Sequence, residues 1–208
     1  MSPEDLLGGT RALVDAHGAR LVRLAAQSIE HALRTGEGLT VDLEAQPTAL
    51  RADGACFVTL TRHGDLRGCI GSVDAHRPLA ADVADNAVGA ALRDPRFRPL
   101  RRPELEGLTL SISVLSPLAP LPFTDADDLR GKLRPGVDGV MLTGRGRRGL
   151  FLPSVWDQLP DAGDFLRHLK AKAGLRPDDD LVGVQAERFV TVKVDASALP
   201  AGERLWTA

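Results

Sequence analysis

The same succession of hydrophobic patterns occurs twice along the 208-residue chain, and each succession indicates a β-hairpin, a helix and a further strand. In the first half the predicted elements are strand 54–60, turn 62–65, strand 66–73, a helix from Pro78 to Asp94 and strand 108–114. In the second half they are strand 137–142, turn 144–149, return strand 150–153, helix 161–173 and strand 189–194. We therefore predict an α+β fold of two pseudo-duplicated hairpin–helix–strand halves, with mostly antiparallel sheets and a cleft shared between the halves.

The ends of the chain carry weaker patterns than its middle. Residues 1–18 predict a loose N-terminal extension, and apolar residues at helical spacing predict a first helix over residues 21–33. A single domain is expected over residues 19–195. Its two subdomains are expected at about 19–117 and 118–195, and residues 196–208 are expected to form a C-terminal tail.

Composition excludes several function classes. A net charge of −2 and a pI near 6.2 argue against a basic nucleic-acid binder and a polybasic membrane binder, and 4% aromatic residues leave little for base stacking. No apolar run approaches about 18 residues and no leader-like segment opens the chain, so neither a spanning helix nor a signal peptide is expected. Two cysteines exclude a disulfide scaffold and a four-cysteine zinc site and favour a cytoplasmic location. No intrinsic metal or cofactor is expected.

The strongest local motif surrounds Cys69. Gly68 and Gly71 leave notches in a predicted strand on either side of the thiol, and Arg67 is expected on the same strand face because side chains alternate. A cationic neighbour favours the thiolate, which is the nucleophilic form of cysteine. Cys69 and Arg67 are therefore the candidate catalytic residues, with the two glycines as supporting residues. The alternative is a small buried cysteine whose glycines serve close packing.

Cys56 lies on the partner strand, and the turn decides where it sits relative to Cys69. A two-residue turn at Arg62-His63 would place the two thiols directly opposite each other, and a turn at His63-Gly64 would make them diagonal neighbours on one face. A three-residue loop would place them on opposite faces. All three registers stay open from the sequence.

Two further groups of polar residues are candidates for binding. Asp94 ends a predicted helix before a proline, and Arg96 follows in the turn, where the pair either supports the Cys69 site or forms a structural ion pair. Three arginines in the glycine-rich turn 144–149 either contact phosphate or RNA or form a solvated hairpin tip.

The string Leu66–Gly71 resembles the signature of the AMMECR-one domain family, whose bacterial members include the AmmeMemoRadiSam system protein A group. Supporting strings occur in the order of that family, one before the signature at residues 54–60 and the others after it at residues 91–100, 104–105, 111–116, 136–140, 151–155, 165–169 and 172–175. The similarity spans about residues 20–195, although the segment at residues 156–160 is shorter than in many relatives.

The resemblance implies a two-part α+β domain associated with a MEMO-like protein and a radical S-adenosylmethionine enzyme. This association suggests a redox or radical modification system in which the chain uses a cleft around Cys69. The alternative is a non-catalytic adaptor or substrate-presenting module for the same partners. The sequence does not decide whether the chain is itself an enzyme, and the oligomeric state stays open.

Overall fold

A computed structural model describes residues 3–207. Its α-helices are α1 (Pro3–Thr35), α2 (Thr48–Arg51), α3 (Leu79–Val88), α4 (Ala126–Lys132) and α5 (Ala162–Lys172). Its strands are β1 (Cys56–Arg62), β2 (Asp65–Gly71), β3 (Leu108–Leu115), β4 (Ala119–Pro120), β5 (Gly139–Gly144), β6 (Arg147–Phe151), β7 (Val184–Phe189) and β8 (Thr191–Asp195). The predicted α+β class with antiparallel sheets is confirmed.

Two compact units make up the described chain. The larger unit comprises Gly8–Leu115 and the described residues from Val192 onward, and it contains a four-stranded sheet in the order β2-β1-β3-β8. Alternating residues of β1 and β3 form its buried face, where Val58, Leu60, Leu110 and Ile112 are almost completely enclosed. Helix α3 packs against β1 on that sheet, and β2 lies at the sheet edge.

The smaller unit comprises Ser116–Thr191 and the described residues up to Leu7. Its sheet has the order β4-β7-β5-β6. The core combines apolar residues of β5 with the inner face of α5, and the ring of Trp156 stacks on Phe165 with centroids 3.8 Å apart. The predicted helix is confirmed here, since Asp161 caps its first turn and Gly174 follows its last one with a φ of +71°.

The two ends of the chain differ most from the sequence-based expectations. Helix α1 begins at Pro3 rather than at residue 21, so the expectation of a loose extension is wrong for the described residues of 1–18. Leu6 and Val14 are buried on this early part of the helix, and packing outweighs the low helix propensity of Gly8 and Gly9. Across residues 3–207, no helix is both long and apolar enough to cross a membrane.

The last predicted strand is also corrected. Residues 189–194 do not form one strand, because β7 ends at Phe189 and β8 begins at Thr191, and the two strands belong to different sheets. The predicted limits of the domain and its subdomains, and the cleft shared by the halves, stay predictions.

Candidate functional site

The hairpin that carries Cys69 has a tight turn and a β-bulge. His63 and Gly64 both have positive φ, 55° and 93°, which makes a two-residue turn of the kind that matches strand twist. Beyond the turn, Leu66 pairs with Thr61, but Gly68 pairs with Leu60. Arg67 is therefore the extra residue of a bulge in β2.

The bulge decides the placement of the two thiols. It shifts the register by one residue, so Cys69 lies opposite Thr59, and the Thr59 hydroxyl lies 3.3 Å from the Cys69 sulfur. Cys56 is three residues before Thr59 on β1 and therefore points to the other face of the sheet. The turn is the His63-Gly64 alternative, yet the thiols do not become neighbours. Both cysteines are free, Cys69 being partly exposed and Cys56 fully buried.

Asp94 and Arg96 hold the open edge of β2 at Cys69. The backbone N–H of Cys69 donates to Asp94 Oδ2 at 2.8 Å, and Arg96 Nη2 donates to the Cys69 carbonyl oxygen at 3.2 Å. The two side chains also bind each other twice, from Arg96 Nε to Oδ1 at 3.0 Å and from Nη2 to Oδ2 at 2.7 Å. We call this arrangement the Asp94–Arg96 clamp. It fixes the backbone of the cysteine on a strand edge that the sheet leaves unpaired.

The two side chains of the clamp stabilise each other's charged forms. Hydrogen bonds from Arg96 hold the pKa of the Asp94 carboxyl well below its usual range, with help from the N–H of Cys69, although burial of the carboxyl opposes this. Asp94 is only 4% exposed, whereas the Arg96 side chain is 54% exposed. The same pairing raises the pKa of Arg96, and the Cys69 side chain also contributes. The guanidinium group beside Cys69 is thus that of Arg96.

Arg67 is paired with the carboxylate of Glu104, a contact that the sequence does not predict. Its Nε and Nη2 bind Glu104 at 3.0 and 3.3 Å, and its guanidinium lies 6.0 Å from the ring centre of Phe97. This pairing lowers the pKa of Glu104. Arg67 therefore joins β2 to the short 3-10 helix Arg102–Leu105. In the sequence, the only indication of this pair is that an arginine and a glutamate can form a two-point ion pair.

The glycines of the motif allow close approach of backbone. A methyl group on Gly68 would overlap the carbonyl oxygen of Ala90, which lies in the π-helical turn Gly89–Arg93 that continues α3. A methyl group on Gly71 would lie 2.5 Å from the Cys56 carbonyl oxygen and closer still to the ring of Phe57. Turns of π-helix occur often at functional sites, and this one leads directly into Asp94.

Cys56 belongs to a buried polar cluster on the helix side of the sheet. Its backbone N–H donates to Asp82 at 3.0 Å, and Asn86 Nδ2 donates to its carbonyl oxygen at 3.2 Å. Asp82 also accepts from Ser72 and Arg77. Burial, followed by the charge of Asp82, raises the pKa of the Cys56 thiol well above its ordinary value. Cys56 is therefore a structural residue, because a buried and neutral thiol is inert.

The arginine-rich turn of the second hairpin binds its own unit. Arg145 donates to Asp179 at 2.9 Å and to the carbonyl oxygen of Val182, and Arg147 donates to the carbonyl oxygen of Gly174. Arg148 lies against Met141. Residues 145–148 of the turn are exposed to solvent, as expected for a hairpin tip, and the guanidinium groups of Arg145 and Arg147 bind carbonyl and carboxylate groups of their own unit.

The fold and this site together define the class of protein. It is an α+β domain with two antiparallel four-stranded sheets and a glycine-flanked cysteine on a clamped edge strand. A family model described as AMMECR1 matches residues 22–194. The chain therefore belongs to the AMMECR1 family, as its signature predicts.

Related proteins cover most of the chain. A protein of Methanothermobacter thermautotrophicus is 38% identical over 162 residues, which are 77% of this chain and 84% of that protein. A protein of Methanopyrus kandleri is also 38% identical, over 77% of this chain and 79% of its own length. The crystal structure of PH0010 from Pyrococcus horikoshii superposes with a TM-score of 0.73 at 32% identity, covering 85% of this chain and 89% of that one.

Proposed function

We propose that this chain is the thiol-bearing component of a redox or radical modification system, acting with a MEMO-like protein and a radical S-adenosylmethionine enzyme. The observation that carries the proposal is the partly exposed Cys69 on the clamped edge of β2. The identity of the partners rests on the resemblance of the Leu66–Gly71 signature. A partly accessible thiol on a rigid backbone is the arrangement that a nucleophile needs, because its reacting atom is held in place before the other reactant arrives.

Each neighbour of Cys69 has a separate role in this proposal. The Thr59 hydroxyl orients the sulfur through a hydrogen bond, and the Arg96 guanidinium is positioned to stabilise negative charge on a group that reacts with the sulfur. Asp94 is a positioning residue, since its carboxylate binds the Cys69 backbone and holds Arg96 in place. Gly68 and Gly71 support the site by allowing the π-helical turn and β1 to approach.

The experiment is a reconstitution of the three components with Cys69→Ser and Cys69→Ala variants. We expect turnover to be lost in both, because neither side chain can form a thiolate. A Thr59→Val variant keeps the thiol but removes the hydroxyl that orients it, so we expect turnover to be reduced but retained. Unchanged turnover in both Cys69 variants would remove the proposed role. If the variants still bind both partners under those conditions, the chain is an adaptor.

A further inference from the structure

A groove of about 550 Å³ lies beside the Asp94–Arg96 clamp within the larger unit. Its lining consists of Arg67, Phe97, Arg98, Pro99, Arg101, Pro103 and Glu104. The ring of Phe97 connects it to the thiol site, since Arg67 contacts the ring from the groove and Arg96 lies 5.5 Å from its centre. The volume is in the range of small-molecule sites.

The groove has a net positive charge although the whole chain is net negative. Glu104 is neutralised by the two-point contact with Arg67. Arg98 and Arg101 are exposed, and neither guanidinium has an ion pair or hydrogen bond among the described residues. Arg93 and Arg96 differ from them, because Arg93 is paired with Asp85 and Arg96 with Asp94. Two unpaired positive groups therefore face one concave surface.

The loop that carries these arginines is held rigid. The N–H of Leu100 donates to the Ala91 carbonyl oxygen at 2.8 Å, and the N–H of Arg101 donates to Glu104 at 2.9 Å. Leu100 is buried between the two arginines in sequence, and Pro99 fixes a further backbone dihedral. Because the backbone of this loop is already fixed, its ordering adds little to the entropy lost when a ligand binds.

We infer that this groove binds a small molecule carrying a multivalent oxyanion, a phosphate ester or a polycarboxylate, through Arg98 and Arg101. Guanidinium groups bind both kinds of oxyanion through paired hydrogen bonds. The inference rests on the proposed function in one respect only, namely that the bound molecule is the substrate presented to Cys69. A nucleic acid is disfavoured because the chain has a net charge of −2 and 4% aromatic residues.

The test measures binding of pyrophosphate and of citrate to the full chain by calorimetry at low ionic strength. We expect saturable binding of at least one probe, at least about tenfold weaker in Arg98→Ala/Arg101→Ala. The preference between the probes identifies the oxyanion. The matched control is Arg102→Ala, because Arg102 is the next residue in the chain and lines other cavities. It should bind like the wild type. An Arg98→Lys/Arg101→Lys variant should be intermediate, since lysine keeps the charge but not the fork.

Several results would overturn the inference. They are no saturable binding of either probe, equal affinity in the wild type and the double alanine variant, or equal weakening in Arg102→Ala. Tight, length-dependent binding of a single-stranded oligonucleotide with weak binding of both probes would also contradict it. A Cys69→Ser variant separates the two proposals, because Cys69 does not line the groove and its loss should leave probe affinity unchanged. Loss of turnover in the Cys69 variant therefore tests the proposed function, and loss of probe affinity in the arginine variants tests the groove, so that either proposal can be refuted without the other.

Discussion

The hairpins β1–β2 and β5–β6 are built alike in two respects. Each turns through two residues with positive φ, His63-Gly64 in one and Arg145-Gly146 in the other. Each second strand has a glycine that lets a helix end approach closely, Gly68 beside Ala90 and Gly149 beside Ala173. Because both hairpins share these features and only one carries a cysteine, the turn and the glycine belong to the common architecture.

What differs between the hairpins therefore marks the candidate site. Strands β5 and β6 pair in a single register from Val140 to Gly144, whereas β2 contains the bulge at Arg67. The residue after the shared glycine is Leu150 in one hairpin and Cys69 in the other. Only the first hairpin is followed by a π-helical turn and the Asp94–Arg96 clamp within the described chain. The comparison separates structural features from those available for chemistry.

Replacing the shared glycines tests the common architecture and should have the largest effect. Gly68→Ala would overlap backbone of Ala90, and Gly149→Ala would place a methyl group 2.6 Å from backbone atoms of Ala173. We expect each to lower the free energy of unfolding by about 3 kcal/mol or more. Urea denaturation measures this. Gly131→Ala is the control, since its methyl group would contact nothing within 4 Å. If Gly149→Ala leaves the free energy of unfolding unchanged, the two glycines do not have the same structural role.

The clamp, which is specific to the first hairpin, should have the next largest effect. Asp94→Asn removes a buried charge that accepts bonds from Cys69 and Arg96, and we expect a loss of about 2–3 kcal/mol. Asp85→Asn is the matched control. Asp94 pairs with one arginine and Asp85 with two, Arg77 and Arg93, but Asp85 is 46% exposed and should contribute less than about 1 kcal/mol. Equal losses in the two variants would mean that the clamp is an ordinary surface ion pair.

The carboxyl of Asp94 also makes the stability of the fold depend on pH. Its pKa is lower in the folded chain than the value of about 3.9 for an unfolded aspartate. The clamp therefore stabilises the folded state fully above about pH 5, and this contribution falls as the pH drops below about 4. The stability difference between wild type and Asp94→Asn should shrink over that range in acid denaturation curves. A constant difference down to pH 2 would contradict the assignment.

The arginine turn of the second hairpin should give the smallest effect. Arg145→Ala removes contacts with Asp179 and Val182, and its partial exposure limits the expected loss to about 1 kcal/mol. Thermal unfolding measures it against Arg176→Ala, whose guanidinium and Asp178 partner are both about 80% exposed. If Arg145→Ala is indistinguishable from that control, the turn is not fixed by these bonds.

Much of the architecture follows from pattern, but the site does not. Alternation over residues 108–114 and the proline after Asp94 predict their elements, because the signal is local. The extra residue at Arg67 moves the Cys69 side chain to the other face of the sheet, and no local sequence pattern predicts this bulge. The partnership of Arg67 with Glu104 joins residues 37 apart in sequence. The first part of helix α1 does not follow from the sequence, because tertiary packing overrides the low helix propensity of its glycines.

Alkylation of the two thiols in the native chain tests most directly whether Cys69 is the reactive one. Mass spectrometry after treatment with iodoacetamide reports each site, and Cys56 is an internal control because it is 0% exposed with a raised pKa. We predict that Cys69 is alkylated in the folded chain while Cys56 stays unmodified until urea unfolds it. If Cys69 also stays unmodified until unfolding, the thiol is structural and the proposed site is wrong.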